Sequence, residues 1–422
     1  MKKILVFQAP LFTASGYGSH ARDILKSLYE LDVYDVKIIP TKWGMTPQDQ
    51  LDTSTEFGQR MLRSVITSLN KKPEVYIQMS VPNEFRPLGS VNIGITAGTE
   101  GNLAPKEFID GVNTMDLILV PSEFTKNVLQ QTVYIKHNTH TNQQEGEHKT
   151  STPIKVLFEG VDTSIFSSYN KNVNDPLKEV ETDFNFLICG HWLRGVLGED
   201  RKDIGMTLKT IATVFQYLPA DKRPGIILKS STGGYSIKSR EEIRKRVDEV
   251  LYPLGDNIPS VYLLHGDLTD QEMSNLYHNK KVKAMVSFTK GEGYGRPLAE
   301  FAMTGKPIIV SKWSGLCDFL PDTNTVYLDG SLTQVHSSVV DKFIIEQSKW
   351  FTVNYTDAAN KIHNVFKNYE QYRTKSANLP LHIRTKFSLK KMTEELGKIL
   401  EEVDVTPNIV PLNLPELPKI DV

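Results

Sequence analysis

Residues 283–320, KAMVSFTKGEGYGRPLAEFAMTGKPIIVSKWSGLCDFL, constrain this chain more than any other stretch. The apolar run 284–288 reads as a buried parallel strand. The loop TKGEGYG follows, and Pro297 opens a short helix at the first-turn position that tolerates proline. Gly305 closes that helix, Pro307 follows, and 308–311 forms the next strand. Strand, glycine loop, helix, strand is a βαβ unit. Its helix N-terminus, bordered by glycines, offers unpaired N–H groups and a positive dipole end to an anion, most often phosphate.

Two carboxylates belong to the same unit: Glu292 in the loop and Glu300 in the helix, seven residues between them. A carboxylate beside a diphosphate is repelled, so its use there is to accept hydrogen bonds from hydroxyls, which sugar rings and ribose supply. Taken singly, each also fits an ordinary solvated charge.

The whole string EGYGRPLAEFAMTGKPIIVS resembles the E-x7-E signature of family 4 retaining glycosyltransferases, which use nucleotide-sugar donors. It matches both glutamates, the glycines between them, the proline, the Ala-Met pair and the Gly-x-Pro. The resemblance implies an α/β GT-B fold, two Rossmann-like domains whose parallel sheets face across a cleft. It implies that Glu300 holds the donor ribose hydroxyls and that Glu292 sits at the transferred sugar. Gly293, Tyr294, Gly295 and Arg296 belong to the donor site, the amides of the last three facing the sugar and distal phosphate.

A chain of 422 residues is long for one core and suggests two domains. Hydrophobic residues make up 39% and charged residues 23%, ordinary for a globular protein. The net charge of −1 advertises no bulk attraction to nucleic acid or anionic membrane. Cys189 and Cys317 lie in or beside apolar stretches and read as buried thiols of a reducing compartment, the cytoplasm. MKKILVFQAPLF reads as a first strand and not a signal peptide, and no apolar run is long enough for a membrane span.

Along the chain, residues 4–8 form the first strand, a loop leads into a helix over 19–31, and 36–40 forms the second strand. Gly16, Gly18 and Ala21 match the dinucleotide pattern G-x-G-x-x-A. A dehydrogenase, however, places the first glycine directly after strand one and an acid at the end of strand two. Here seven residues separate Gln8 from Gly16, and strand two ends at Pro40-Thr41. The resemblance instead puts Gly16 and Gly18 near the donor phosphates; an ordinary helix-entry turn is the alternative. A helix is expected over 59–69, with strands over 74–79 and 91–95. Thr99 and Glu100 follow the latter strand where ligands sit in open α/β sheets. The family often carries a histidine there, which this chain lacks; Glu100 either holds a sugar or acceptor hydroxyl or is a solvated loop acid. The segment 116–131 resembles the family's strand and helix start, with Ser122 as N-cap.

Residues 136–152 hold His137, His140 and His148 but lack periodicity and read as a surface loop, not a metal site. The second domain opens with a strand over 184–190. Arg201-Lys202, read at the start of the next helix, resemble the family's pair that neutralises the donor diphosphate; a basic helix surface is the alternative. His191 stands where the family has a second arginine, and Arg194 is a candidate substitute. Lys229 ends the strand 226–229 and points to the cleft. Strand 261–265 and the following helix resemble the family's base-binding region, with Gly266, Asp267 and Leu268 at the base. Residues 356–373 and 387–402 read as helices. The four prolines of TPNIVPLNLPELPKIDV exclude a helix there and leave an extended tail, packed or disordered.

The division expected is 1–166 for an acceptor domain, 167–182 for a linker, 183–386 for a nucleotide-sugar domain, 387–403 for a helix crossing back, and 404–422 for the tail. The function expected is retaining glycosyl transfer, without metal or cofactor, the nucleotide-sugar being a substrate. No D-x-D occurs in the chain, unlike GT-A enzymes that hold a divalent ion. A non-catalytic nucleotide-sugar-binding homologue and an NAD(P)-dependent oxidoreductase are the alternatives. The acceptor is open among a glycan, a small molecule, a protein and a modified nucleobase, as is the oligomeric state. Residues 1–165 carry 16 basic and 18 acidic side chains, a net of −2, so the average charge offers no basic face for lipid or DNA.

Overall fold

The computed structural model describes residues 2–69, 71–137 and 144–403. Its first half is a six-stranded sheet of β1 (Ile4–Ala9), β2 (Asp35–Pro40), β3 (Val75–Met79), β4 (Val91–Ile95), β5 (Leu117–Val120) and β8 (Ile154–Val156), in the order 2-1-3-4-5-8. Between β5 and β8 the chain makes a two-stranded excursion, β6 (Val133–His137) and β7 (Gln144–Lys149). The second half is a sheet of β9 (Asn185–Cys189), β10 (Gly225–Lys229), β11 (Val261–Leu264), β12 (Val282–Ser287), β13 (Ile308–Ser311) and β14 (Val326–Leu328), in the order 11-10-9-12-13-14. Every pairing in both sheets is parallel. Parallel strands need crossovers and are covered on both faces, which is why runs such as Ile226–Leu228 are apolar without alternation.

The crossovers of the first half carry α1 (Gly16–Leu31), α2 (Glu56–Ser64), α3 (Lys106–Val112) and α4 (Glu123–Gln131). Those of the second carry α5 (Ile204–Phe215), α6 (Ile237–Leu251), α7 (Asp270–His278) and α8 (Arg296–Ala302). An antiparallel hairpin, β15 (Gly330–Gln334) and β16 (Lys349–Val353), and helices α9 (Tyr355–Lys367), α10 (Tyr369–Ser376), α11 (Leu379–Lys386) and α12 (Leu389–Glu402) finish the described chain. Met392, Leu396, Ile399 and Leu400 of α12 are buried in one cluster with Leu5, Phe7, Ile24 and Leu28. The last helix therefore packs on the first sheet's layer, and Ser27 Oγ meets Thr393 Oγ1 at 2.8 Å.

The order 11-10-9-12-13-14 has one switch point, between β9 and β12, where the chain direction across the sheet reverses. Crevices that bind ligands form outside the carboxyl ends of such strands. The loops leaving β9 and β12 hold Arg201, Lys202 and Glu292.

Five local expectations are corrected. Within the segment 136–152, Gln144–Lys149 is a strand and not a loop: Val133 pairs with Lys149 and His137 with Gln144, and the polar residues of that strand hide its alternation. The helix placed at 59–69 is Glu56–Ser64, capped by the Thr55 side chain, and 356–373 breaks at Asn368 into α9 and α10. Arg201 and Lys202 precede their helix, which starts at Ile204 after Asp203 in a left-handed conformation (φ 49°). Cys317 is exposed, because the turn Gly315–Asp318 directs Leu316 inward and Cys317 out. The expected tail 404–422 and His140 lie outside the described residues.

Candidate active site

The loop 289–295 leaves β12 and presses against the loop that leaves β4. A Cβ on Gly291 would stand 1.9 Å from the Glu100 carbonyl oxygen, and one on Gly293 would stand 2.5 Å from that of Ala97. Both positions therefore require glycine so that the two halves can meet. Ser122 Oγ donates to the Gly293 carbonyl at 2.6 Å and fastens the contact. Gly295 (φ 103°) turns the chain into α8, with Pro297 in its first turn.

Glu292 is buried at this junction and ringed by donors. Lys202 Nζ holds Oε1, Arg201 Nη1 lies 3.2 Å from Oε2, and Thr289 Oγ1 donates to Oε1 at 2.7 Å. Its backbone N–H donates to Ser314 Oγ at 3.0 Å. Burial alone would raise the Glu292 pKa, but the Lys202 and Arg201 charges outweigh it and hold it at about 2. Burial in turn depresses Lys202, while Glu100 and Glu292 outweigh burial at Arg201 and raise it. Arg201 Nε lies 3.6 Å from Glu100 Oε1, so a carboxylate from the first half joins the cluster. The turn is clipped to the loop through Lys290 N–H to the Arg201 carbonyl at 2.8 Å and Arg201 Nη1 to the Gly291 carbonyl at 3.0 Å.

Glu300 forms a second buried cluster. Its Oε1 accepts from Arg296 Nε at 2.8 Å and its Oε2 from the Tyr277 hydroxyl at 3.3 Å. Arg296 Nη1 reaches Asp23 Oδ2 of α1 at 2.7 Å, so one guanidinium joins the two halves. Burial pushes Glu300 up to about 7 despite Arg296. Glu159 nearby is likewise raised by burial to about 7, and burial with the Arg296 charge lowers His20 to about 3. Sequence reasoning missed Asp23 and Tyr277. The signal for Asp23 was a buried polar stripe, His20, Asp23 and Ser27 at helical spacing, beside the apolar stripe Ala21, Ile24 and Leu28.

The other predicted residues spread around these clusters. Gly16 and Gly18 lie in the first turn of α1; a Cβ on Gly18 would meet the Thr13 carbonyl at 2.2 Å, whereas the space beside Gly16 is open. Thr99 closes its own turn, accepting from Gly101 N–H at 3.2 Å. His191 Nδ1 meets Ser231 Oγ at 2.9 Å, and burial with the Lys202 charge lowers it to about 4. Arg194 is held by Asp341 and the Val339 carbonyl and does not join Arg201 and Lys202. Lys229 Nζ donates to the Gly266 carbonyl at 2.6 Å; Asp267 accepts from Gln50 Nε2 at 3.2 Å, and Leu268 packs into the second half's core. Tyr294 is buried beside Phe319. A cavity of about 620 Å³ opens beside Glu100, Arg201 and Lys202. Among the described residues no group of three or more His, Cys, Asp or Glu is placed to hold a metal ion, and no helix is long and apolar enough to cross a membrane.

No protein-family profile and no curated protein sequence matches this chain. Solved structures do share its fold. Sucrose-phosphate synthase from Thermosynechococcus elongatus aligns with a TM-score of 0.61 at 12% identity, covering 95% of this chain and 98% of its own. A glycosyltransferase from Rickettsia africae reaches 0.63 at 13% identity, with 95% and 98% covered. HepE from Anabaena, solved with UDP and glucose, reaches 0.59 at 11% identity, with 95% and 100% covered. The likeness defines the architecture: this chain has the two-domain α/β fold called GT-B.

Proposed function

We propose that this chain is a glycosyltransferase of the family 4 type, moving a sugar from a nucleotide-sugar donor to a hydroxyl acceptor with retained anomeric configuration. The observation that carries the reading is the Arg201–Lys202–Glu292 cluster at the switch point of the second sheet, its carboxylate buried and its two cations half-buried. Arg201 and Lys202 share the ionised Glu292, with the more exposed Glu100 also on Arg201, and a diphosphate carries enough negative charge to displace both carboxylates. A donor diphosphate would draw Arg201 and Lys202 to its oxygens, supplying the positive charge that a metal ion supplies elsewhere. Glu292 would then accept hydrogen bonds from the sugar hydroxyls, and Glu300 from the ribose. That structures of the same fold hold UDP, and one of them UDP-glucose, supports the donor class.

In the step itself the bond from sugar C1 to the diphosphate oxygen breaks while the acceptor oxygen bonds to C1 on the same face. The acceptor's proton passes to the departing diphosphate. Glu292 orients the sugar and stabilises positive charge at C1; it forms no bond to it. Both cysteines are free, which supports a reducing compartment such as the cytoplasm.

The test is a thermal-unfolding screen with UDP, GDP, ADP and NAD, followed by hydrolysis of the matching nucleotide-sugar. A ligand at 100 times its Kd stabilises by about 2.7 kcal/mol, which such a screen detects. One nucleoside diphosphate is expected to act, and Arg201→Ala and Glu300→Ala are expected to abolish its effect. A response to NAD alone, or donor binding without sugar release or transfer, refutes the reading.

A further inference from the structure

The cavity of about 620 Å³ is lined by Glu100, Arg201 and Lys202, and by neither Glu300 nor Gly266–Leu268. Its size suits one small molecule. Two loops of the second half make its walls: 191–197, leaving β9, and 337–344, between β15 and β16. They are laced together before any ligand arrives. Arg194 holds both Asp341 and the Val339 carbonyl, and Val196 N–H lies 3.4 Å from Ser338 Oγ. From behind, Arg246 Nη1 donates to the carbonyls of Trp192 and Leu193 at 2.7 and 2.6 Å. Phe343 leans on Phe108 of the first half, with ring centroids 6.1 Å apart, so the second wall spans the two halves.

Two features fix what such a pocket takes. Its charges are already matched: Arg194 with Asp341, Arg246 with Glu242, and Arg201 and Lys202 with Glu292 and Glu100. The donor diphosphate claims Arg201 and Lys202, so an ionic acceptor would have to compete with it there or break the Arg194–Asp341 or Arg246–Glu242 pair. The rest of its lining includes His191 and Thr232 together with apolar Leu193, Phe343 and Ile344, and the loop that carries Leu193 exposes Leu193 (42%), Val196 (53%) and Leu197 (49%) to solvent. Three large apolar side chains displayed within five residues beside a preformed cavity mark a binding rim.

We propose that this cavity is the acceptor subsite, and that the acceptor is a neutral amphipathic molecule: a hydroxyl-bearing head directed at Glu100 and Arg201, with an apolar body lying between Leu193 and Phe343. The proposal rests on the glycosyltransferase reading and narrows its acceptor. It sets the acceptor against loops of the second half as well as the first, and it excludes sugar phosphates and nucleic acid as preferred acceptors. The transferred bond is the one described above, the acceptor oxygen replacing the diphosphate oxygen at C1 and its proton leaving with the diphosphate.

The test uses the full chain with UDP-, GDP- and ADP-glucose as donors. The acceptors are n-octyl β-glucoside below its micelle concentration, glucose, and glucose 6-phosphate. Binding of octyl glucoside is read separately by thermal shift. Wild type is expected to prefer octyl glucoside to glucose by about tenfold or more in kcat/KM, and to bind it without donor. Leu193→Asn, a substitution at an exposed position, and Phe343→Ala should each erase most of that preference, the loss lying in KM. Equal use of glucose, a preference for glucose 6-phosphate, or an unaltered preference in both variants overturns the proposal. If no donor is hydrolysed or used, the glycosyltransferase reading fails; the pocket's apolar specificity then stands or falls on whether octyl glucoside binding is lost in Leu193→Asn.

Discussion

Arg296 and Asp23 meet at 2.7 Å from opposite halves of the molecule, and the same guanidinium holds Glu300 at 2.8 Å. Asp23 is buried and Arg296 nearly so, its side chain 13% exposed. The residue beside the proposed ribose site is therefore also the residue that ties α8 to α1. Removing one partner of a buried pair strands the other charge and costs about 3 kcal/mol or more. Asp23→Ala should accordingly lower the melting temperature by roughly 6 °C or more. In a double-mutant cycle, Asp23→Ala with Arg296→Met should lose less than the sum of the two single changes. Strict additivity in calorimetry would show that the pair does not couple the halves.

Lys202 and Arg201 make the second prediction. Each is held by Glu292 in the absence of a donor, and each would make a charge-assisted bond to the diphosphate, worth about 1.5 to 3 kcal/mol. Lys202→Met should therefore weaken nucleoside diphosphate binding by roughly 10- to 100-fold, measured by titration calorimetry. Glu292→Gln removes their competitor and should leave diphosphate affinity equal or higher while lowering sugar transfer. A parallel fall in both quantities would place Glu292 in diphosphate binding and contradict its role at the sugar.

The sequence carried the sheet strands well because each is a short apolar run between turn residues, and burial on both faces makes such runs plain. It singled out Glu292 and Glu300 through one string and Arg201-Lys202 through resemblance to a basic pair; the structure gathers that pair on Glu292 and sets Glu300 in a separate cluster. What the sequence did not carry is contact across the halves. Asp23 lies 273 positions before Arg296, and nothing local to either predicts that they meet. The resemblance assigns Gly293 to the donor site, whereas the missing side chains of Gly291 and Gly293 make room for the other half's backbone. Hairpin β6–β7 and strand β15 were hidden for a simpler reason: their mostly exposed residues leave no hydrophobic pattern.

Gly291 tests that contact directly. A methyl group there would sit 1.9 Å from the Glu100 carbonyl, and backbone on both sides cannot yield as a flexible side chain would. Gly291→Ala should prop the halves apart, raise the radius of gyration in solution scattering, and lower transfer by about tenfold or more. Gly234→Ala, with no atom within 4 Å of its Cβ position, is the control and should match wild type. An unchanged scattering profile for Gly291→Ala would mean that the contact is not needed for the closed arrangement.

Glu300 sets the pH dependence of donor binding. Burial raises its pKa from the usual 4.5 to about 7 against the pull of Arg296, with Asp270 and Asp23 adding to the rise. An acid raised on folding takes up a proton as pH falls through 7, while its unfolded counterpart stays ionised down to 4.5. This group alone thus makes the protein less stable as pH rises from 4.5 to 7. Binding runs the other way. A carboxylate that accepts from two ribose hydroxyls must be ionised, so nucleoside diphosphate affinity should strengthen from pH 6 to pH 8. The midpoint should lie near 7, apart from the phosphate's own ionisation. Inorganic pyrophosphate has no ribose and should lack the Glu300-dependent part of that change, as should the Glu300→Gln variant with the full nucleotide. Calorimetric titrations at pH 6, 7 and 8 separate the two contributions. If Glu300→Gln keeps the wild-type profile, the titrating group lies elsewhere and Glu300 does not hold the ribose.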